Sequence, residues 1–348
     1  MLEFDRSNFL QLLKDFPAQI PEALSLTSDF SFNFDTVDIN NIVIAGMGGS
    51  AISGDLMLGY LRDELPIPAV VNRNYDIPRF VSDKTLFVAM SYSGNTEETL
   101  AATREAMARS AKIVAVTSGG ELQDICIQNG FPYVQVPGGL PPRQALGYMF
   151  FPLLRMFENS RLISSKEEEI AETVLLLKDM VERYDPKKNF GNNLANHIAQ
   201  SVYHAIPITY TGVQYLYGVP VRWQNQFNEN AKVLAYSNRF PELNHNEIMG
   251  FEGLPDVNKH FRIILLREAN ENPRIKERIK VTKKILRKHK ILFGEVFSEG
   301  NTRLARMFSL IFTGDWASYY LAMLNEKDPI TIDSIDFLKE KLSEVSVG

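Results

Sequence analysis

The chain has 348 residues, 37 Lys and Arg against 42 Asp and Glu, a formal net charge of −5, 45% hydrophobic and 11% aromatic residues, and a single cysteine. That apolar content excludes intrinsic disorder, and the acidic balance lacks the clustered Lys and Arg with which a sequence-independent nucleic-acid binder displaces phosphate counterions. Cys126 alone can make neither an intrachain disulfide nor a thiolate zinc site, so a cytoplasmic setting is expected, and the length accommodates two domains.

The opening MLEFDRSNFLQLLKDF carries Glu3 and Asp5 where an export signal would be basic, and Phe4, Leu10, Leu13 and Phe16 predict an amphipathic helix. No run reaches the roughly eighteen apolar residues of a membrane span. The nearest, 202–219, holds His204, Pro207 and Gln214, and no membrane domain is expected. Residues 41–45 are an apolar run that breaks at Gly46, predicting a buried strand, a tight turn and a helix through Leu61. Further strands are predicted at 69–71, 85–90, 112–117 and 133–136, with a helix at 96–109. From about 150 to 184 the pattern is helical, until Pro186 and a polar turn at 191–193 interrupt it.

The second half repeats the alternation, with strands at 207–211, 262–267 and 290–297 and helices at 274–289 and 303–325. Strands alternating with helices predict an α/β fold of two similar doubly wound lobes, each a mainly parallel sheet flanked by helices. The expected division is an N-terminal lobe over 1–154, a helical connector over 155–190 and a C-terminal lobe over 191–348. Residues 274–290 are dense in Lys and Arg, with Glu277 the lone acid. Ile275, Ile279, Ile285 and Leu286 give this helix a packing stripe, which reads as one buried and one solvated face; nucleic acid or an acidic partner is the alternative.

Two turns after strands carry the first chemistry. Gly46-Met47-Gly48-Gly49-Ser50-Ala51 joins a strand to a helix, where glycines admit an anion close to the backbone and the helix amides hold it. The same residues fit G-x-G-x-x-A, so a dinucleotide site is an alternative, although the end of the next strand offers Asn72, Arg73 and a late Asp76 in place of the usual ribose acid. Ser91-Tyr92-Ser93-Gly94-Asn95-Thr96 then offers three hydroxyls at the next helix start. Capping by Thr96, with Glu97 and Glu98 in the first turn, accounts for part of that pattern; a phosphate cradle accounts for Ser91 and Ser93 as well. Together these turns resemble the sugar isomerase (SIS) domain, and the resemblance implies phosphate contacts from Ser50, Ser91, Ser93 and Thr96, with the amides of Gly48 and Gly49 nearby. Regulators carry such domains too, so a non-enzymatic phosphosugar sensor is one reading.

Three further segments hold reactive groups: Arg143 after Pro141-Pro142, Glu229 within Asn228-Glu229-Asn230-Ala231-Lys232, and His245 within Pro241-Glu242-Leu243-Asn244-His245-Asn246-Glu247. Singly they also read as a surface arginine, a solvated polar turn and a structural histidine. In this order behind the two turns they resemble the bifunctional phosphoglucose/phosphomannose isomerases of the phosphoglucose isomerase superfamily. The resemblance implies two SIS lobes and aldose–ketose isomerisation of hexose 6-phosphates through a cis-enediolate, without cofactor or metal. Glu229 suits the single base that this proton transfer needs, Arg143 the stabiliser of enediolate charge, and His245 the acid/base that opens the sugar ring. The resemblance further implies a homodimer in which His245 serves the neighbouring site, and a C-terminal lysine, matched by Lys339, that assists ring opening. His197 and His204 lie seven apart on an expected helix without a third metal ligand in register, so no zinc site is expected.

Overall fold

The computed structural model describes residues 2–188 and 193–344, so 191 and 192 of the expected polar turn lie outside the described residues. The first helix, α1 (Phe9–Ser25), starts later than its apolar pattern suggests. The Asp5 carboxylate takes the amides of Phe9 and Leu10, at 2.6 and 3.0 Å, and leaves Phe4 in a separate 3-10 turn. There follow β1 (Asn41–Ala45), α2 (Gly48–Tyr60), β2 (Ala69–Asn72), β3 (Thr85–Ser91), α3 (Glu97–Ala108), β4 (Lys112–Thr117), α4 (Gly120–Asn129) and β5 (Tyr133–Gln135). These strands form a parallel sheet of order β2-β1-β3-β4-β5. Every residue of β3 is buried, as a strand covered on both faces requires. Alternate side chains serve opposite cores: Phe87 and Ala89 face Leu100, Ala106 and Leu122, while Val88 and Met90 face α1 and the following helices.

The chain continues through α5 (Leu146–Asn159), α6 (Glu167–Tyr184), α7 (Leu194–Val202), β6 (Ile206–Thr211), α8 (Gly218–Ala231), β7 (Tyr236–Arg239), a one-turn α9 (Pro255–Asn258), β8 (Phe261–Arg267), α10 (Pro273–Lys288), β9 (Leu292–Phe297), α11 (Arg303–Leu324) and α12 (Asp333–Ser343). A second parallel sheet has order β7-β6-β8-β9. The expected helical run through 150–184 is two helices, and the cut placed at residue 154 falls inside α5, which continues to Asn159. The polar segment around Glu229 is the end of α8, whose Val219, Trp223, Phe227 and Ala231, four apart, are all buried.

One core joins the lobes. α11 is buried almost all round, and its Phe308, Phe312 and Trp316 pack with Phe16, Phe150 and Tyr184. No helix among the described residues is long and apolar enough to cross a membrane.

The lobes touch where α2 meets the turn before α8. A Cβ on Gly59 would stand 2.6 Å from the carbonyl oxygen of Tyr215. Gly59→Ala is therefore expected to lower stability by about 1–3 kcal/mol despite the better helix propensity of Ala. Gly253→Ala, where a Cβ meets nothing within 4 Å, is expected to shift stability by less than about 0.5 kcal/mol. Urea unfolding of both variants against the wild type checks the contrast.

Candidate active site

In the first sheet the strand order reverses at β1, which pairs with β2 on one side and β3 on the other. The crevice beyond the carboxyl ends of β1 and β3 is where such sheets take ligands. Both turns singled out from the sequence border it. Met47, extended, precedes α2, whose first amides have no helical partners. On the other side the hydroxyls of Ser91 and Thr96 lie 2.8 Å apart, and the amide of Tyr92 donates to Ser50 Oγ at 3.2 Å, joining the two turns. Thr96 stands at the N-cap position of α3, but its hydroxyl faces Ser91 and makes no cap bond. Ser50 and Ser91 are buried, while Ser93 lies exposed at the lip and accepts from the amide of Asn95. The structure thus gathers Ser50, Ser91 and Thr96 with Gly48 and Gly49 around one crevice, the geometry of an oxyanion cradle.

The cradle abuts the 3-10 turn Pro142–Gln144, close enough that a Cβ on Gly49 would stand 2.7 Å from the Pro142 carbonyl. This turn carries Arg143, only 4% exposed. Its Nε donates to Asn230 Oδ1 at 2.6 Å, Nη1 to Glu229 Oε2 at 3.4 Å, and Nη2 to the carbonyls of Pro329 and Ile330 at 2.6 and 3.2 Å. Burial pushes the Arg143 pKa down from its ordinary value and the Glu229 carboxylate pushes it back up, with Arg222 lowering it again. A guanidinium so placed remains charged. The Glu229 carboxylate is 28% exposed and lines a cavity of about 530 Å³ together with Lys232, Thr331 and Asp333. A base that meets solvent space on one side and a fixed cation on the other can exchange a proton with a substrate carbon and leave the resulting charge compensated.

Behind Arg143 stands a second ion pair. Arg222 Nη2 lies 2.7 Å from Asp315 Oδ2, both nearly inaccessible, and the same nitrogen donates to the Arg143 carbonyl at 3.1 Å. Gln226 also donates to Asp315, and Asn230 Nδ2 donates to Ser318 at 2.9 Å. Burial pushes the Asp315 pKa up while Arg222 and Gln226 pull it down. Sequence reasoning named neither Arg222 nor Asp315, and met Asn230 only as a neighbour of Glu229. The available signal was their polarity on helices whose other residues are core.

His245 and Lys339 stand apart from this cluster. α8 runs from the carboxyl ends of the second sheet back to its amino ends, which places Glu229 near one edge; β7 then returns, and exposed His245 follows at the other. Lys339 is exposed on α12, which has no buried residue, one turn beyond Ile335 at the cavity rim. α7 stops at Val202, so His204 has left the helix and does not share a face with His197; its φ of 57° ends the run instead. Among the described residues no group of three His, Cys, Asp or Glu is placed to hold a metal. Cys126 is buried, which pushes its thiol up to about 12. On the basic helix α10, Lys283 pairs with Glu295 and Arg287 covers the Phe293 ring.

Comparison with known proteins identifies the family and the fold. Residues 37–123 match the SIS domain model, and 191–342 match the model of the bacterial phospho-glucose isomerase C-terminal SIS domain. A bifunctional phosphoglucose/phosphomannose isomerase of Caldicellulosiruptor bescii is 43% identical over 94% of this chain and 97% of its own. One from Thermoplasma acidophilum is 39% identical over 95% of this chain and 100% of its own. Among solved structures, the C-terminal domain of glucosamine-fructose-6-phosphate aminotransferase from Francisella tularensis superposes with a TM-score of 0.69 at 16% identity, covering 92% of this chain and 97% of that one, and so shares the fold.

Removing one member of the buried pair strands the other. Arg222→Met is expected to cost about 3–5 kcal/mol, whereas the double variant Arg222→Met, Asp315→Leu is expected to recover most of that loss. Urea denaturation of the two variants and the wild type measures both quantities.

Proposed function

Since the chain belongs to the bifunctional phosphoglucose/phosphomannose isomerase family and is a sugar phosphate isomerase, we propose that it interconverts glucose 6-phosphate and mannose 6-phosphate with fructose 6-phosphate through a cis-enediolate, without a metal. The observation that carries this reading is the contact between Arg143 and Glu229 beside the hydroxyl-bearing turns that meet at Ser50, Ser91 and Thr96. A sensor needs the crevice alone. An isomerase needs the crevice to anchor the phosphate and, at a sugar's length from it, a base and a fixed positive charge.

In this mechanism Ser50, Ser91, Ser93 and Thr96, with the amides of Gly48 and Gly49, hold the phosphate. Glu229 takes the proton from C2 of the aldose and returns it to C1, while the proton on O1 and O2 redistributes. Negative charge builds on those two oxygens, and Arg143, already held by four acceptors, stabilises it without moving. Either C2 epimer gives the same planar enediolate but from opposite faces, so one base serves both aldoses if the C1–C2 unit turns about the C2–C3 bond to present its other face to Glu229. Hexose phosphates rest as rings, so a further group must protonate the ring oxygen. Within one protomer His245 follows β7 at the opposite edge of the second sheet from Glu229, and this placement supports the reading that His245 of the partner subunit completes each site in a homodimer, with Lys339 assisting from α12.

Conversion of fructose 6-phosphate to each aldose, followed by separate coupled dehydrogenases, tests the reaction. Both products are expected, and EDTA is expected to leave the rates unchanged. Glu229→Gln should lower kcat by about 10²–10⁴-fold. Binding of fructose 6-phosphate without turnover in the wild type would point to the sensor instead. For the shared histidine, mixing inactive Glu229→Gln with inactive His245→Ala protomers should restore about a quarter of wild-type activity, since half the dimers are mixed and each holds one intact site. Histidines used within their own protomer would give no recovery.

A further inference from the structure

Under the isomerase reading Lys232 has no step of its own, yet its ammonium is the second cation on the turn that holds Arg143. Nζ donates to the Glu229 carbonyl and, at 3.3 Å, to the Pro329 carbonyl, which also takes the 2.6 Å bond from Arg143 Nη2. A longer donation reaches the Asn230 carbonyl at 3.5 Å. The residue ends α8 in the left-handed conformation, φ 58° and ψ 38°, where glycine is the less strained choice. It also forms the wall between the cavity at Glu229 and a neighbouring one of about 720 Å³. Charged or titratable groups face it from every side: Arg143 from its 3-10 turn, Glu229 on its own helix, Asp328 and Asp333 from the C-terminal segment, and Lys327, His204, Asp256 and His260 around the neighbouring cavity.

We propose that Lys232 is a positioning residue for the isomerisation: its ammonium fastens the end of α8 to the turn at 328–330, on which Arg143 also docks, and so fixes the separation of the Glu229 carboxylate from the guanidinium. The fastening closes a loop of contacts. Arg143 reaches the turn from the first lobe, Lys232 reaches it from the second, and Pro329 receives both. Without the ammonium, the last turn of α8 keeps its bonds with Arg143, Ser318 and Asn325 but loses its own tie to the turn at 328–330. Partial burial and the neighbouring Arg143 lower the Lys232 pKa to about 8. The ammonium is therefore charged below that pH and is lost as pH rises through it, so the fastening weakens on the alkaline side.

The test uses the full-length enzyme as wild type, Lys232→Gly, Lys232→Arg and Glu229→Gln. Glycine suits the left-handed backbone and removes only the side chain, so the variant is expected to fold with a Tm no lower than the wild type. Its kcat should fall about 10–100-fold with KM changed by less than about 3-fold, and the decline of kcat above about pH 8 should vanish. Arginine should restore most of kcat and shift that decline beyond pH 10. Independently of turnover, amide hydrogen exchange over 328–335 should quicken in Lys232→Gly and stay at the wild-type rate in Lys232→Arg. Unchanged exchange in Lys232→Gly overturns the proposal, as does a wild-type kcat and pH profile in that variant. A wild type without turnover, or a fully active Glu229→Gln, defeats the isomerase reading, and the exchange experiment still decides whether Lys232 fastens the turn.

Discussion

A guanidinium removed from water has to be given back nearly everything that water supplied, and the demand made by Arg143 organises much of this molecule. Four acceptors answer it, drawn from two separate stretches: Glu229 and Asn230 at the end of α8, and the carbonyls of Pro329 and Ile330 beyond α11. Its own carbonyl is held by Arg222, which is neutralised by Asp315 on α11. The ring of Phe9 lies 5.9 Å beneath the cation and ties in α1. Elements far apart in sequence must therefore be in register before the charge is satisfied, and once they are, the charge cannot wander. That rigidity is what a charge-stabilising group needs, because a donor that has to reorient during the reaction loses much of its advantage.

The two sheets explain how such a group meets its base. Both have the strand order of an internal repeat, and both reverse at their first strand, so each has a crevice at its carboxyl edge. The two edges are furnished differently. In the second, the turn after β8 supplies its own carboxylate: Glu271 accepts from the Glu268 amide at 3.1 Å and from Nε and Nη2 of Arg267 at 2.7 and 2.6 Å. Glu268 is likewise bonded to Tyr215 and Arg306. At this edge the charged groups are paired within the chain itself. The second lobe instead lends its opposite edge, where α8 ends, to the first lobe's cradle, and the site is assembled from the top of one sheet and the bottom of the other.

Much of this was legible in the residues. Continuous apolar runs such as 85–90 can only be strands covered on both faces, and glycine or serine turns after them mark a ligand edge. Arg143 and Glu229 were named from short motifs, and the structure places them 3.4 Å apart. What escaped was set by tertiary context. β7 (Tyr236–Arg239) has no apolar run because its residues are only half covered at a sheet edge. α8 carries a buried stripe four residues apart that the polar Asn and Gln between its members disguise. Arg222 and Asp315 are polar because they serve one another, and no local pattern announces a partner 93 residues away. The split of the 150–184 run into two helices follows from Arg161, whose φ of 59° a helix cannot continue.

The contrast between Arg143 and His245 fits the different roles proposed for them, charge stabilisation and proton transfer. A group that stabilises developing charge gains from burial, because low dielectric strengthens its field and fixed partners spare it reorganisation. A group that opens a sugar ring has to pick up and release protons between turnovers, and exposure keeps that exchange fast. Arg143 is accordingly locked by four bonds inside one protomer, while His245 sits on an exposed 3-10 turn at the far edge of the second sheet. In the proposed dimer the exposed residue of one chain becomes the lid of the other's site. Ring opening would then depend on assembly, whereas the enediolate step would depend only on the fold of a single chain.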